Sequence, residues 1–505
     1  MAAAAVAVEG PSTAATPAFT TPIAVTQIDE SQYRPQLDTK LAKLKELFAE
    51  FNPPEVEVFE SPPSYYRMRA EFTVETRDGG FHYVMFDKSP GPDAEPGAAA
   101  DGPSAGLEGA EAAGRPDGDS DAEAGEAGEE EAGPSTSAPA AAEVAAAGAG
   151  RGKRKRKVKK SRPPGPRRVR VESFPVASRQ VNELMEAVKR VASEDPELRT
   201  RLFQANFHTA LSGDAMVTLL YHRRLGPEWE AAAERLRDAL AATPTAAAAG
   251  KRPHVIGRSR KQVIHLSAGH VEEVLHVGGR PWIQRQVEGS FSQPNGAVCQ
   301  HMLGWALGVT RPATAGAGAA AAAGPEAGTG AEPGAQAQAQ GEAQAQGPQD
   351  DLLELYCGNG NFTIPLAQNF RRVVATEVAK SSVDAARYNL EANGVSNVFL
   401  ARMASEEFAQ TMRERGTRRR LEGLGPWEEL RLRTILVDPP RVGLDEFTVE
   451  LLREFDNVIY ISCNPDTLAA NLRSLGPSFA IRKWAAFDQF PFTHHLECGV
   501  YLTRV

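Results

Sequence analysis

From Leu352 to the C-terminus the sequence repeats one unit: a short apolar run, a turn built from Gly, Asp, Pro or Asn, and an amphipathic stretch. Parallel strands cannot be joined by tight hairpins, so a chain with this alternation is constrained to a mainly parallel sheet covered by helices. The pattern predicts strands at 352–357, 373–378, 397–402, 434–437 and 457–462, then two final strands near 479–487 and 498–504. Helices are expected up to Phe370, over 381–393 before Gly394, and over 466–475. The last two of these seven strands are expected to pair antiparallel at one edge.

The N-terminal half reads differently. Residues 64–87 alternate around a DGG turn, which predicts a β-hairpin. Segments 178–192 and 228–240 have helical apolar spacing, and 202–221 and 253–287 are strand-rich. Two stretches, 89–165 and 312–348, are dominated by Ala, Gly, Pro and Glu or Gln and hold too few apolar side chains to offset ordering entropy. They read as disordered insertions, as does the N-terminus, 1–30. Of 505 residues, roughly 360 then remain to fold, enough for two domains. The expected division is an α+β domain from 31–88 and 166–290, and an α/β domain from 291–311 and 349–505. Tyr65, Tyr66, Arg67 and Arg69 in the hairpin suit base stacking and phosphate contact.

The net charge of −9 argues against indiscriminate nucleic-acid binding. Its distribution matters more. Residues 91–150 are acidic with a single Arg, whereas 151–170 (RGKRKRKVKKSRPPGPRRVR) contain no acid. That run reads equally as a phosphate-binding arm, a nuclear-import signal or a solvated linker. The four cysteines, Cys299, Cys357, Cys463 and Cys498, show no metal-ligand or redox spacing, so neither a metal nor an iron–sulfur cluster is expected. Reduced thiols, no membrane-length apolar run and no secretory signal suggest an intracellular protein, with the cytoplasm expected and nucleus or organelle left open. Oligomeric state is not legible.

Three motifs carry chemistry. In LELYCGNGNF a strand runs into Gly358 and Gly360, which permit close ligand approach. Glu377 ends the next strand, where an acid accepts ribose hydroxyls. Asn361 and Phe362 replace the third glycine of a dinucleotide motif, which favours S-adenosylmethionine (SAM) over NAD. VDPPR, at the end of the fourth strand, projects Asp438 and Arg441 toward the polar edge of a planar base. YISCNP brings Cys463 out of the next strand into the same crevice. A thiolate beside a nucleobase has a specific use, because adding sulfur at C6 of uracil makes C5 nucleophilic enough to take a methyl group. The C5 proton must then be removed. Glu497 in FTHHLECGVYL is the first choice of base, with His494 and His495 as competitors.

These motifs, together with YYRMRAEF, SFPVASRQVNELM, LFQANFHTALSGDAMVTLLYH, QVEGSFSQPN and FDQFPFTHHLECGVYL, closely resemble the bacterial-type tRNA (uracil-5-)-methyltransferases. The resemblance spans nearly all of the chain outside the insertions and the N-terminus. It implies a seven-stranded, Rossmann-like SAM-dependent methyltransferase domain preceded by an RNA-binding domain, acting on the T-loop uridine of tRNA. It also implies Cys463 as nucleophile, Glu497 as base, and SAM contacts at Gln293, Tyr356, Asn361, Glu377 and Asp438. Gln293 follows from the resemblance alone. Phe203 or Phe207 could fill the space left by an extruded base. Alternatives are the same chemistry on ribosomal RNA, an RNA-folding protein whose methylation is incidental, and adenine-N6 methylation. The ribosomal-RNA branch of the family usually carries an iron–sulfur cysteine cluster, which four scattered cysteines cannot supply.

Overall fold

A computed structural model describes residues 28–76, 80–87, 167–311 and 349–505. The segments read as insertions, 89–165 and 312–348, lie outside the described residues, as does nearly all of 1–30.

All seven expected strands form, at Asp351–Leu355, Arg372–Glu377, Val398–Arg402, Leu432–Val437, Asn457–Ser462, Phe479–Phe487 and Glu497–Arg504. Numbered in that order, they lie 3-2-1-4-5-7-6 across the sheet. The first five are parallel, and the seventh is antiparallel to both the fifth and the sixth. Asp351–Leu355 is buried at every residue, as expected of a central strand covered on both faces.

The sheet also has an eighth strand. Glu57–Phe59 pairs in parallel with Phe479–Phe487 at the edge. The preceding helix, Tyr33–Phe48, contributes Leu37, Leu41, Leu44 and Phe48 to the core under the sheet. The Phe48 ring stacks on Trp484 with centroids 5.2 Å apart. Residues 33–59, grouped from sequence with the N-terminal unit, thus belong to the methyltransferase-like layer. The physical reason is the edge itself, where a row of backbone groups would otherwise be unpaired.

The remaining N-terminal residues build a second sheet. Its seven strands lie in the spatial order Arg167–Val171, His82–Asp87, Arg69–Glu75, Leu202–Thr209, Ala215–Tyr221, His254–Ser259 and Gln262–His265. The predicted hairpin is present as antiparallel pairing of Arg69–Glu75 with His82–Asp87. Helices Arg179–Glu194 and Pro227–Ala241 pack against this sheet around Phe72, Tyr83, Phe207 and Trp229. A separate hairpin, His270–Val277 with Arg280–Val287, belongs to neither sheet. Its Leu275, Val277 and Trp282 share a core with helix Gly296–Val309. Its outer strand is held by helix Lys380–Ala392 and its C-cap: Asn389 Oδ1 accepts from the Arg285 amide at 2.6 Å, and Asn393 Oδ1 from that of Ile283 at 2.9 Å.

Since Phe48 is fully buried, Phe48→Ala should destabilise the methyltransferase layer by about 3–5 kcal/mol. Denaturant unfolding followed by Trp484 fluorescence measures this. Loss of less than about 1 kcal/mol would show that the helix is not part of that core.

Candidate active site

Strands Leu432–Val437 and Asn457–Ser462 run parallel, with Val437 opposite Tyr460. Their next residues, Asp438 and Cys463, therefore emerge at the same end of the sheet. The seventh strand starts from that end, and its antiparallel register pairs Cys498 with Ser462. One further step of the same register sets Glu497 across from Cys463.

Local contacts tie the two loops together. Asn464 caps helix Pro465–Leu475, its Oδ1 accepting from the Asp466 amide at 3.2 Å. The Nδ2 of Asn464 donates to the Arg441 carbonyl at 3.1 Å, and Thr467 Oγ1 donates to the same oxygen at 3.3 Å. The DPPR and SCNP segments are therefore bonded to each other through the Arg441 carbonyl. Cys463 is half-buried, whereas Cys299, Cys357 and Cys498 are buried and their thiols are pushed upward by burial.

The structure also separates the competing bases. Arg441 Nη2 lies 3.0 Å from His495 Nδ1, and a guanidinium only donates, so Nδ1 accepts and His495 is neutral. Burial, then His494 and Arg441, hold its pKa down to about 3. Such an imidazole is a poor proton acceptor at neutral pH. His494 is exposed. Glu497 is 4% exposed and opens the strand that faces Cys463.

The glycine loop lies at the same end of the sheet, after Asp351–Leu355. Tyr356, Gly358 and Gly360 have φ of 62°, 56° and 83°, so three of five consecutive residues are left-handed and the loop turns sharply under the strand end. No atom stands within 4 Å of where a Gly358 Cβ would be, leaving that face open to a ligand. Glu377 braces the loop, Oε2 accepting from the Gly358 amide at 3.0 Å and Oε1 from that of Ala379 at 2.8 Å. Each oxygen keeps a further lone pair for a ribose hydroxyl. Asn361 Oδ1 accepts from Gln284 Nε2 at 3.0 Å. Gln293 Oε1 accepts from Gln489 Nε2 at 2.9 Å, placing Gln293 against the loop between the last two strands. This donor and acceptor set fits a nucleoside cofactor with a charged amino-acid end. Among the described residues there is no group of His, Cys, Asp or Glu able to hold a metal.

Several expectations change. Tyr66 and Arg67 are buried, each at 4% exposure, and precede the hairpin strand rather than lie in it. Arg69 donates to the Ser290 carbonyl at 2.7 Å. Of the four residues read as an RNA surface, Tyr65 alone is exposed, with the Arg179 guanidinium 4.0 Å above its ring. Phe207 is in the core with Phe72 and Tyr83, while Phe203 is half-buried and stacks on His222 at 3.9 Å. Sequence reasoning missed Glu354, Gln284, Lys40 and Asp488. Lys40 had a signal, because it falls on the apolar stripe of its helix beside Leu37, Leu41 and Leu44.

A 3-2-1-4-5-7-6 sheet whose strand ends carry a glycine loop and an acid braced against it defines a SAM-dependent methyltransferase. The chain belongs to the tRNA (uracil-5-)-methyltransferase family, whose model matches residues 32–93, 159–316 and 341–505. It is 37% identical over 482 residues to the tRNA/tmRNA (uracil-C(5))-methyltransferase of Chromohalobacter salexigens, covering 95% of this chain and 98% of that one. The enzyme of the same description from Yersinia pestis is 38% identical, with 94% and 97% covered. Among solved structures, the Pyrococcus abyssi tRNA (uracil-54, C5)-methyltransferase in complex with S-adenosyl-L-homocysteine shares the fold, with a TM-score of 0.51 at 16% identity, covering 93% of this chain and 83% of that one.

Glu354, 1% exposed beneath the glycine loop, has its pKa raised from 4.5 to about 8, first by burial. Its carboxyl is therefore protonated in the folded state at neutral pH. The raised value contributes stability below the unfolded pKa that is lost as pH rises through the folded one. Glu354→Gln should match the wild type near pH 4.5 and become the more stable protein as pH rises through about 8. Thermal melting of both proteins across that range checks it; parallel melting curves would refute it.

Proposed function

We propose that the chain methylates carbon 5 of a uridine in tRNA, the T-loop uridine, with SAM as methyl donor. The observation that carries this reading is the register that pairs Ser462 with Cys498, the neighbours of Cys463 and Glu497, at the sheet end that also bears the glycine loop. The residues proposed to hold SAM are Gln293, Tyr356, Asn361, Glu377 and Asp438. When bound, SAM would supply an electrophilic methyl group.

The side chains of the protein do the rest. The Cys463 sulfur adds to C6 of the uracil, breaking the C5–C6 π bond and giving an enolate with electron density on C5. Once C5 carries the methyl group, Glu497 takes the remaining C5 proton, the C5–C6 double bond re-forms and the C6–S bond breaks. With His495 neutral and His494 exposed, Glu497 is the acceptor we assign to this crevice. Attack on the face of C6 requires the base to leave its stack, and Phe203, half-buried and stacked on His222, is the aromatic of the LFQANF segment we assign to fill the gap. With a tRNA substrate and free thiols, the enzyme is proposed to work in the cytoplasm.

Cys463→Ala should abolish methylation and Glu497→Gln should lower it by at least about 100-fold, both with RNA binding kept. RNA carrying 5-fluorouridine should trap a covalent complex with the wild type, since fluorine at C5 blocks proton removal. Incubation with labelled SAM and separated RNA classes gives the substrate. A fully active Cys463→Ala protein would sink the mechanism, and label confined to ribosomal RNA would sink the tRNA assignment.

A further inference from the structure

Nine residues, 488–496, carry the chain from Phe487, at the end of the sixth strand, round to Glu497. This loop begins on a buried charge. Asp488 is fully buried, and both its oxygens are held by one helix near the N-terminus. Lys40 Nζ donates to Oδ1 at 2.7 Å and to the Phe490 carbonyl at 2.9 Å. Gln36, one turn earlier, donates from Nε2 to Oδ2 at 3.1 Å. Lys40 and Gln36 are themselves buried, at 8% and 5% exposure.

The rest of the loop is held to the same side of the molecule. The Asp488 amide donates to the Phe59 carbonyl at 3.0 Å, and the Tyr66 hydroxyl to that of Pro491 at 3.0 Å. Tyr33 of the helix meets Phe492 edge-on, with ring centroids 6.3 Å apart. The loop ends with His495 on Arg441 and then Glu497.

A buried ion pair is a costly way to pack a helix, because desolvation offsets the attraction and apolar residues of equal volume serve stability as well or better. What it supplies is direction. A carboxylate with both oxygens bonded in a dry site has one position, and that position sets where the loop leaves the sixth strand.

We propose that Lys40, seated on Asp488, is a positioning residue for C5 proton removal, anchoring the loop that delivers Glu497 to the crevice. The proposal rests on the assignment of Glu497 as the base. Lys40 touches no reacting atom. Its loss leaves Cys463 on its own strand end, so covalent addition survives while the later proton transfer slows.

The test compares Lys40→Met with Glu497→Gln on full-length protein and tRNA. Lys40→Met should lower methylation turnover by about 10- to 100-fold, as expected of a misplaced catalytic group. The KM for SAM should stay within about threefold. A covalent complex should now accumulate with ordinary tRNA, visible as a shifted band under denaturing conditions, because the methylated adduct forms faster than it resolves. Amide exchange over 489–496 should rise in the absence of RNA and SAM. Trapping by 5-fluorouridine RNA should be retained.

A folded Lys40→Met protein with turnover within about twofold of wild type would overturn the proposal. So would one that loses trapping in step with turnover, since the whole crevice would then have collapsed. If Lys40→Met does not fold, Gln36→Leu removes the lesser bond to Asp488, and unchanged turnover and exchange in that variant would also overturn it. A fully active Glu497→Gln protein would instead sink the assignment of the base, which separates the two failures.

Discussion

The site depends on where the seventh strand lies. By entering antiparallel between Asn457–Ser462 and Phe479–Phe487, it begins at the end of the sheet where the parallel strands finish. A strand appended in parallel would begin at the opposite end and carry Glu497 away from Cys463 by the full length of the sheet. One reversal of direction thus brings a residue near the C-terminus into a crevice otherwise built from parallel strand ends. Antiparallel pairing also fixes register, because a slip of one residue would turn every side chain of the strand to the wrong face.

Around this frame, burial adjusts protonation. His495 is kept neutral and Glu354 protonated by the same cause, desolvation of the charged form. In His495 it weakens the imidazole as a proton acceptor, and in Glu354 it removes a negative charge from the strand that leads into the glycine loop. Asp488 meets burial differently, with a cation and an amide to satisfy its oxygens. The difference follows from partners: the Asp488 oxygens are met by the Lys40 cation, whereas His494 and Arg441 beside His495 oppose its protonation.

Much of the catalytic half was legible, because strand and helix periods alternate cleanly and the chemistry-bearing residues sit directly after apolar runs. Glu377, Asp438 and Cys463 could be placed at strand ends without coordinates. Gln293 could not, since it follows a separate hairpin and reaches the site through Gln489. Residues 33–59 were assigned to the wrong neighbour because an amphipathic helix and a three-residue strand state that they need a partner surface, not which one. Tyr66 and Arg67 failed for a related reason: alternation gives two faces, and composition alone does not say which is wet. Lys40 on an apolar stripe was a visible local conflict, and such conflicts mark positions where another requirement outweighs packing.

The eight-stranded sheet joins the two ends of the chain. Glu57–Phe59 has no partner until Phe479–Phe487 exists, and Phe48 has no Trp484 to stack on until then. On a ribosome helix Tyr33–Phe48 is therefore made more than four hundred residues before Trp484, the ring on which its Phe48 stacks. The sheet of the second unit, closed by Gln262–His265, can form well before that. Synthesis order thus favours completion of one unit early and holds the methyltransferase layer open until Phe479–Phe487 has been made.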